Sequence, residues 1–291
     1  MQKFCLAPFV SILLLNCAVL TNQQMALAKN KAKPAAKSAQ LAALKARPLY
    51  VVGRVLTMQN KPLSNVEIGI FGTTARGDRT RFEARTDASG QYSLRVPDGI
   101  YGVAAYYDKT FNGKNYRFTL HPEDGKTAVT HDAANGIVKN FRWKISGLKP
   151  GQRPGETGSH TETLKYYGGY VYVKSKEEGT LVTLICFPAG STLVINLTPR
   201  AKLIDGSTGQ TKSFRRTFAT DIRSSIGWHL TDVPIGLYKL NATLLSADGI
   251  RKPLNTQHSA DFNSPFTPSI NLDFEPTSFG DMQMMQVTVE P

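Results

Sequence analysis

The sequence has 291 residues, and at about 100–200 residues per domain this length favours two domains over one. Lys and Arg number 35 against 22 Asp and Glu, a net charge of +13, while hydrophobic residues make up 41% and charged residues 20%. This ordinary composition excludes an intrinsically disordered chain and predicts a packed core. The meaning of the charge therefore depends on where the basic residues lie.

Residues 1–28 are typical of a secretory signal peptide. Lys3 precedes an apolar stretch, and residues 26–28, Ala-Leu-Ala, have the small-x-small pattern of a cleavage site. We therefore expect a mature chain that begins at Lys29 and is secreted, periplasmic or on the cell surface.

Lipid attachment at Cys17 is the alternative to cleavage after residue 28. Bacterial lipoprotein signals have a small residue before the cysteine, whereas Asn16 stands there, so cleavage is favoured. After cleavage Cys186 is the one remaining cysteine, and no intrachain disulfide can form. Cys186 lies in an apolar run over 180–187 with the composition of a strand, and we interpret it as a core residue.

The excess positive charge is concentrated before Glu67, the first acidic residue of the chain. Nine basic residues precede it, and from there on 26 basic residues face 22 acidic ones. Residues 29–47 form a flexible Ala/Lys-rich arm, whose first lysines are Lys29, Lys31, Lys33 and Lys37. The arm is interpreted as a solvated spacer or as an electrostatic contact to an anionic envelope polymer or lipid. No aromatic residue interleaves with these lysines, so nucleic-acid binding is not predicted.

From Tyr50 onward, short segments alternate apolar and polar residues between Gly, Pro, Asn and Asp. Val66, Ile68 and Ile70 form one such set. Others are Tyr92-Leu94-Val96, Tyr116-Phe118-Leu120, Phe141-Trp143-Ile145, Tyr170-Tyr172, Leu193-Ile195-Leu197, Tyr238-Leu240-Ala242-Leu244, Ile270-Leu272-Phe274 and Met285-Val287-Val289. About thirteen such segments predict an all-β fold built from sandwiches of antiparallel strands.

An internal repeat supports two domains. Gly90, Val96, Pro97, Gly99, Tyr101 and Ala105 recur at a constant offset of 137 as Gly227, Val233, Pro234, Gly236, Tyr238 and Ala242. Trp228 and Leu230 lie one position earlier than this offset requires, and we expect a β-bulge or a local register difference to absorb the step. The predicted organisation is a signal peptide (1–28), a basic arm (29–47), a first sandwich (48–147), a linker (148–164) and a second sandwich (165–291).

The first repeat resembles a known family. The residues are Gly53-Arg-Val55, Lys61-Pro-Leu63, Val66-x-Ile68-x-Ile70 and Thr86-Asp87-x-x-Gly90-x-Tyr92-x-Leu94-x-Val96-Pro97-x-Gly99-x-Tyr101-x-Val103. Over 51–105, about a fifth of the chain, they are similar to the carboxypeptidase regulatory-like domain of secreted bacterial proteins. The resemblance implies two tandem transthyretin-like or Ig-like sandwiches without catalytic residues, in a family of which some members bind carbohydrate.

Signatures of catalysis and of metal binding are few. Gly-x-Ser-x-Gly and His-Glu-x-x-His do not occur, and the five histidines lack the spacing of zinc ligands. We predict no enzyme activity, no catalytic residue, no metal site and no cofactor. The alternative is a hydrolase site dispersed over loops, for which His131, Asp132 and Glu123 would have to converge.

Tyrosines are the remaining candidates for a binding site. Tyr166, Tyr167, Tyr170 and Tyr172 are close in sequence, and Tyr106 ends another predicted strand. A strand face that carries tyrosines can stack on sugar rings, but aromatic residues are also common as packing residues in strands. Both interpretations stay open at this point.

The sequence thus predicts a non-catalytic secreted or cell-envelope protein with a binding or structural role, as an adhesin or scaffold. Its expected partner is an envelope protein or polysaccharide, and the arm is a possible contact to an anionic surface. The first alternative is a carbohydrate-binding module that uses the strand tyrosines, and the second is the hydrolase with a dispersed site.

Overall fold

The computed structural model describes residues 44–155, 159–176, 187–222, 226–258, 263–276 and 284–290. The predicted signal peptide, the arm lysines Lys29, Lys31, Lys33 and Lys37, and the cysteines Cys17 and Cys186 lie outside these ranges. Within the described part of the chain, no helix combines the length and hydropathy needed to cross a membrane.

The first half of the described chain forms one set of strands. They are β1 (Tyr50–Thr57), β2 (Glu67–Thr74), β3 (Arg79–Arg85), β4 (Gln91–Arg95), β5 (Gly99–Phe111), β6 (Lys114–Pro122), β7 (His131–Asp132), β8 (Ile137–Val138) and β9 (Phe141–Trp143). Their order is β3-β2-β5-β6-β9-β1-β4, with β7 on β5 and β8 on β1. β6 and β9 share two residue pairs, so β3-β2-β5-β6 and β9-β1-β4 form two layers joined at one edge.

The second half forms another set with the same plan. Its strands are β10 (Gly169–Ser175), β11 (Thr192–Pro199), β12 (Lys212–Thr217), β13 (Gly227–Val233), β14 (Leu237–Leu245), β15 (Arg251–His258), β16 (Ile270–Asp273) and β17 (Met284–Glu290). Their order is β12-β11-β14-β15-β17-β10-β13, with β16 on β14. Each position corresponds to one in the first set, which confirms the predicted repeat and the fold of two tandem β-sandwiches.

The pairing differs from a purely antiparallel sandwich at one place in each half. β1 pairs with β9 in parallel, and β10 pairs with β17 in parallel. A parallel pair needs a long crossover, and both pairs join the first strand of a sandwich to its last one.

The predicted alternation places apolar side chains in the core. Ile68 and Ile70 of β2 are fully buried, as are Leu193 and Ile195 of β11. The intervening residues face outward, so each layer has one apolar and one solvated face.

The repeated Pro-x-Gly-x-Tyr segment has the same geometry in both halves. The Tyr101 hydroxyl donates to the carbonyl of Pro97 at 3.1 Å, and the Tyr238 hydroxyl donates to that of Pro234 at 2.7 Å. Each tyrosine is thus a core ring whose polar atom fixes the turn before its own strand, as in the tyrosine corner of Ig-like sandwiches.

The predicted bulge lies at Asp232. The pairing of β10 with β13 shifts between Gly169 and Val171, and Asp232 has a φ of 57°. One extra residue therefore separates Leu230 from Val233, and the repeat offset changes at this point.

The segment 148–164, expected to be a linker without regular structure, contains a short helix, α1 (His160–Thr163). Leu148 forms a β-bridge with Tyr166, and the Lys149 amide donates to the Lys165 carbonyl at 2.8 Å. Backbone pairing thus connects the two ends of this segment.

The two sandwiches contact each other through the β5–β6 hairpin. The buried Tyr116 hydroxyl donates to the carbonyl of Phe274 at 2.7 Å. Lys114 forms ion pairs with Asp273 at 2.8 Å and with Glu275 at 2.6 Å. We call these five residues the joint.

Candidate functional site

A groove of about 320 Å³ lies where β6 and β9 end beside the connecting segment. It is lined by His121, Pro122, Glu123, Arg142, Lys144, Pro150 and Tyr167. We call it the Tyr167 groove, because the tyrosine ring is its largest aromatic surface.

Backbone pairing positions Tyr167 at the edge of this groove. Its amide donates to the carbonyl of Gly147 at 2.9 Å, next to the bridge between Leu148 and Tyr166. His121 contacts the ring edge-on, with ring centroids 5.2 Å apart, and the Lys144 ammonium lies 5.1 Å from the ring centre. The ring is therefore fixed in place between a histidine and a cation.

Two of the charged residues that line the groove, Arg142 and Glu123, are paired with each other. Arg142 donates to Glu123 at 2.6 and 3.0 Å, to the carbonyl of Thr57 at 2.9 Å and to the side chain of Asn60 at 2.7 Å. The groove is thus lined both by a hydrogen-bonded polar network and by an aromatic ring. Such a combination can hold a sugar ring by stacking and hydrogen bonding.

Tyr166 does not line the groove. It is half-buried, and burial raises its pKa, with the nearby carboxylates of Glu162 and Asp232 acting in the same direction. Tyr166 and Tyr167 are neighbours in sequence but lie in different surroundings.

Tyr170 and Tyr172 share the outer face of β10, as their spacing predicts, with Val171 and Val173 in the core. Tyr170 is only 7% exposed, and its hydroxyl contacts the sulfur of Met284 at 3.1 Å. Tyr172 is half-buried.

The rings of these two tyrosines form a cluster with two histidines. The His229 ring lies 5.5 Å from that of Tyr170 and 4.8 Å from that of Tyr172, while His160 of α1 lies 5.4 Å from His229. The cluster packs α1 onto the outer face of the second sandwich.

Tyr106 lies on the outer face of the first sandwich, beneath Arg117. The guanidinium carbon is 4.8 Å from the ring centre. Arg117 is held there by Glu67 at 2.9 Å and by Asp108 at 2.8 Å. Tyr106 thus has different contacts from Tyr166, Tyr167, Tyr170 and Tyr172, the other tyrosines considered for binding.

The three residues considered for a dispersed hydrolase site have separate structural contacts. Glu123 pairs with Arg142, and Asp132 accepts a hydrogen bond from the Ala134 amide at 2.9 Å at the start of a 3-10 turn. Burial lowers the pKa of His131, and the nearby Lys139 acts in the same direction. Among the described residues, no group of three His, Cys, Asp or Glu side chains could hold a metal ion.

Sequence reasoning missed a second cleft, on the outer face of β12-β11-β14-β15. It has a volume of about 180 Å³ and is flanked by Arg215 and Arg251. The two arginines are 36 positions apart in sequence, and each lies in an ordinary strand pattern. Only the pairing of the strands shows that both line the same cleft.

Neither a protein-family model nor a curated protein matches this sequence. Among solved structures, the chain is similar to the Bacillus anthracis TIE protein, with a TM-score of 0.33 and 10% identity over 83% of this chain and 34% of that protein. It is also similar to shaft pilin SpaA from Lactobacillus rhamnosus GG (TM-score 0.23, 11% identity, 84% and 98% of the two chains). A streptococcal ancillary pilin has a TM-score of 0.24 and 9% identity over 83% of this chain and 62% of that one. These TM-scores are too low to assign the fold by similarity, so the fold is assigned from the strand pairing of this chain.

Proposed function

We propose that this chain is a non-catalytic binding or structural protein of the bacterial cell envelope. The observation that carries the proposal is the repetition of one strand order in two sandwiches that contact each other through the joint. Glu123 and Asp132, the carboxylates considered for catalysis, contribute to local structure instead. The resemblance of residues 51–105 to carboxypeptidase regulatory-like domains supports the same role.

The proposed organisation of the exported protein follows the sequence pattern. A signal peptide (1–28) directs export, a basic arm (29–47) spaces the folded part from a surface, and two sandwiches (48–147 and 165–291) follow. The protein is then secreted, periplasmic or on the cell surface, and Cys17 is removed with the signal.

A pull-down of the mature protein against its own envelope fraction tests this role. A variant without residues 29–47 and a salt series separate the arm from the sandwiches. We expect a stable envelope protein or polysaccharide partner with both forms, because the sandwiches carry the binding surfaces. Recovery of no stable partner contradicts the proposal, and loss of binding only in the truncated form at low salt assigns the contact to the arm.

Carbohydrate binding in the Tyr167 groove is the second candidate function. The observation in its favour is that the fixed ring of Tyr167 and the paired Arg142 and Glu123 line the same groove of about 320 Å³. Tyr170 is a weaker candidate than Tyr167, because its ring is buried by its neighbours.

A glycan array followed by Tyr167→Ala tests this candidate. We expect the variant to weaken binding of an array hit by about fivefold to a hundredfold, since stacking on an aromatic ring contributes about 1–3 kcal/mol. Tyr50→Ala is the matched control, because Tyr50 is also half-buried beneath a cation, Arg47, but lies outside the groove. A blank array, or equal loss in both variants, would rule the groove out.

A further inference from the structure

The Arg215–Arg251 cleft lies on a solvated face of the second sandwich. Its floor is formed by Val194 and Leu245 together with the polar residues Asn196, Ser213 and Thr243, and none of the described residues that line it is a carboxylate. The two arginines come from β12 and β15, which are separated by β11 and β14. Three strand spacings separate their backbones by about 14 Å across the sheet, and Arg251 lies two residues along its strand from Pro253, which is level with Arg215.

Neither arginine is neutralised by another residue within the described ranges. Among the residues that the structure describes, the exposed guanidinium groups of Arg215 and Arg251 have neither an ion pair nor a hydrogen bond. Two unpaired cations beside a cleft without acidic residues create a local positive potential.

The corresponding face of the first sandwich is organised differently. There Arg117 pairs with Glu67 at 2.9 Å and with Asp108 at 2.8 Å, and its ring contact with Tyr106 covers the remaining side. Glu67 is largely buried by this network, since its side chain is 14% exposed. In the first sandwich, the charge of Arg117 is thus paired with carboxylates of the same sandwich.

Strand register identifies the equivalent residues in the second sandwich. Tyr101 and Tyr238 fix the alignment of β5 with β14, so Asp108 corresponds to Leu245. Arg117 lies opposite Asp108, and Arg251 lies opposite Leu245.

The second carboxylate is replaced in the same way. Glu67 lies opposite Tyr106, and Val194 lies opposite Thr243, which is the equivalent of Tyr106. The second sandwich has therefore kept the arginine and replaced both of its carboxylate partners with apolar residues.

From this difference we infer that the Arg215–Arg251 cleft binds carboxylate-bearing sugar residues of an acidic polysaccharide. The two guanidinium groups hold the carboxylates, because their planar donor forks match carboxylate geometry. This site lies on a different surface from the Tyr167 groove and does not depend on the function proposed above.

The floor fits a sugar ring. A volume of about 180 Å³ exceeds the roughly 150 Å³ of a cavity that holds benzene, so a six-membered ring can enter. Val194 and Leu245 offer an apolar surface to the ring, while Ser213 and Thr243 offer hydroxyl groups to its substituents.

The separation of the two arginines favours a polymer over a small oxyanion. A single phosphate would be bound best by two arginines on adjacent strands, whereas two further strands separate the ones that carry Arg215 and Arg251. Carboxylates on successive sugar residues can reach both sides while the ring between them lies on the floor.

Calorimetric titration of the purified full chain with oligogalacturonate tests the inference. A neutral cello-oligosaccharide of equal length and inorganic phosphate are the comparison ligands. We expect Arg215→Gln and Arg251→Gln each to raise the Kd for oligogalacturonate by about fivefold to tenfold, since charge-assisted hydrogen bonds are lost. Arg200→Gln removes the same charge from an exposed position outside the cleft and is expected to change the Kd by less than about twofold.

Val194→Glu is the decisive variant, because it restores the carboxylate that the first sandwich has at this position. We expect it to pair with Arg251 and to abolish binding, with an unchanged thermal unfolding transition as proof of folding. The inference is overturned if oligogalacturonate does not bind, if Arg200→Gln weakens binding as much as the cleft variants, or if the neutral oligosaccharide binds equally well. Equal affinity for inorganic phosphate also overturns it.

Discussion

At the scale of single residues, Asp232 carries more structural contacts than its surface position suggests. Its φ of 57° is adopted readily by few residue types other than Gly, Asn and Asp. Its carboxylate accepts from the Gly147 amide at 2.7 Å, and its carbonyl accepts from Lys212. The bulge in β13 and the start of the connecting segment therefore depend on one side chain.

Asp232→Ala is expected to lower the free energy of unfolding by about 1–2 kcal/mol, since it removes this hydrogen bond and places a less tolerant residue at positive φ. Asp232→Asn keeps both the acceptor and the backbone preference and is expected to lose less than about 0.5 kcal/mol. Urea unfolding of the three proteins measures the difference. Equal losses in both variants would show that the charge matters, rather than the acceptor.

The tyrosine positions illustrate what the sequence can predict at this scale. The spacing of Tyr170 and Tyr172 correctly places both on one face of β10. Their exposure was not predictable, because Met284, which covers Tyr170, is 114 positions away, and His160, which also contacts it, lies in a segment without a predicted structure. Alternation is a local property of a strand, whereas burial of its outer face depends on which other segments pack there.

At the scale of elements, Gly53 of β1 allows close packing of two strands. A Cβ at this position would lie 1.8 Å from the carbonyl oxygen of Lys139 and 2.6 Å from the ring of Tyr92. That ring is fixed by its own hydroxyl, which donates to the same carbonyl at 2.6 Å. Gly53 belongs to the motif that carries the family resemblance, and this close contact explains why the position requires glycine.

Gly53→Ala is therefore expected to destabilise the protein by at least about 2 kcal/mol through overpacking. Gly102→Ala in β5 is the control, because the nearest atom to its added Cβ is 3.8 Å away, and it is expected to be neutral or slightly stabilising. Thermal unfolding of both variants is the measurement. A loss of similar size at Gly102 would indicate a general intolerance of the sheet to side chains.

The repeat was only partly readable in the sequence, because the offset between equivalent residues differs from strand to strand. Tyr106 and Thr243 are 137 positions apart, but Glu67 and Val194 are 127 apart and Arg117 and Arg251 are 134 apart. Loops of different length cause these changes, since loops tolerate insertions far better than strands do. The equivalence of Arg117 with Arg251, and of Glu67 with Val194, could therefore be established only from the strand register.

At the scale of the whole molecule, the joint couples the two sandwiches through one buried hydroxyl and an ion-pair cluster. Tyr116 is 1% exposed, and burial raises its pKa to about 12, with Lys114 opposing and Asp273 and Glu275 adding to the increase. Its usual pKa is about 10. The folded protein therefore retains a proton that the unfolded chain releases between these two values.

This difference predicts a loss of stability in alkali. The contribution of Tyr116 is fully present below pH 10 and is lost as the pH rises towards 12, because the folded state then binds more protons than the unfolded state. Tyr116→Phe is expected to make the slope of unfolding free energy against pH shallower by up to about 1.4 kcal/mol per pH unit in this interval. Tyr172→Phe, away from the joint, is the control. An unchanged slope in Tyr116→Phe would contradict the prediction.

The position of the last strand in each sandwich has a consequence for folding during synthesis. β9 lies between β6 and β1, and β17 lies between β15 and β10, so neither sandwich can close before its final strand has emerged. As the chain is synthesised from its N-terminus, the first half can close once residue 143 has emerged, but the second half stays open until residues 284–290 follow. During that interval the unpaired edges of β10 and β15 are available to a chaperone or to a neighbouring chain, which makes this the stage most vulnerable to aggregation.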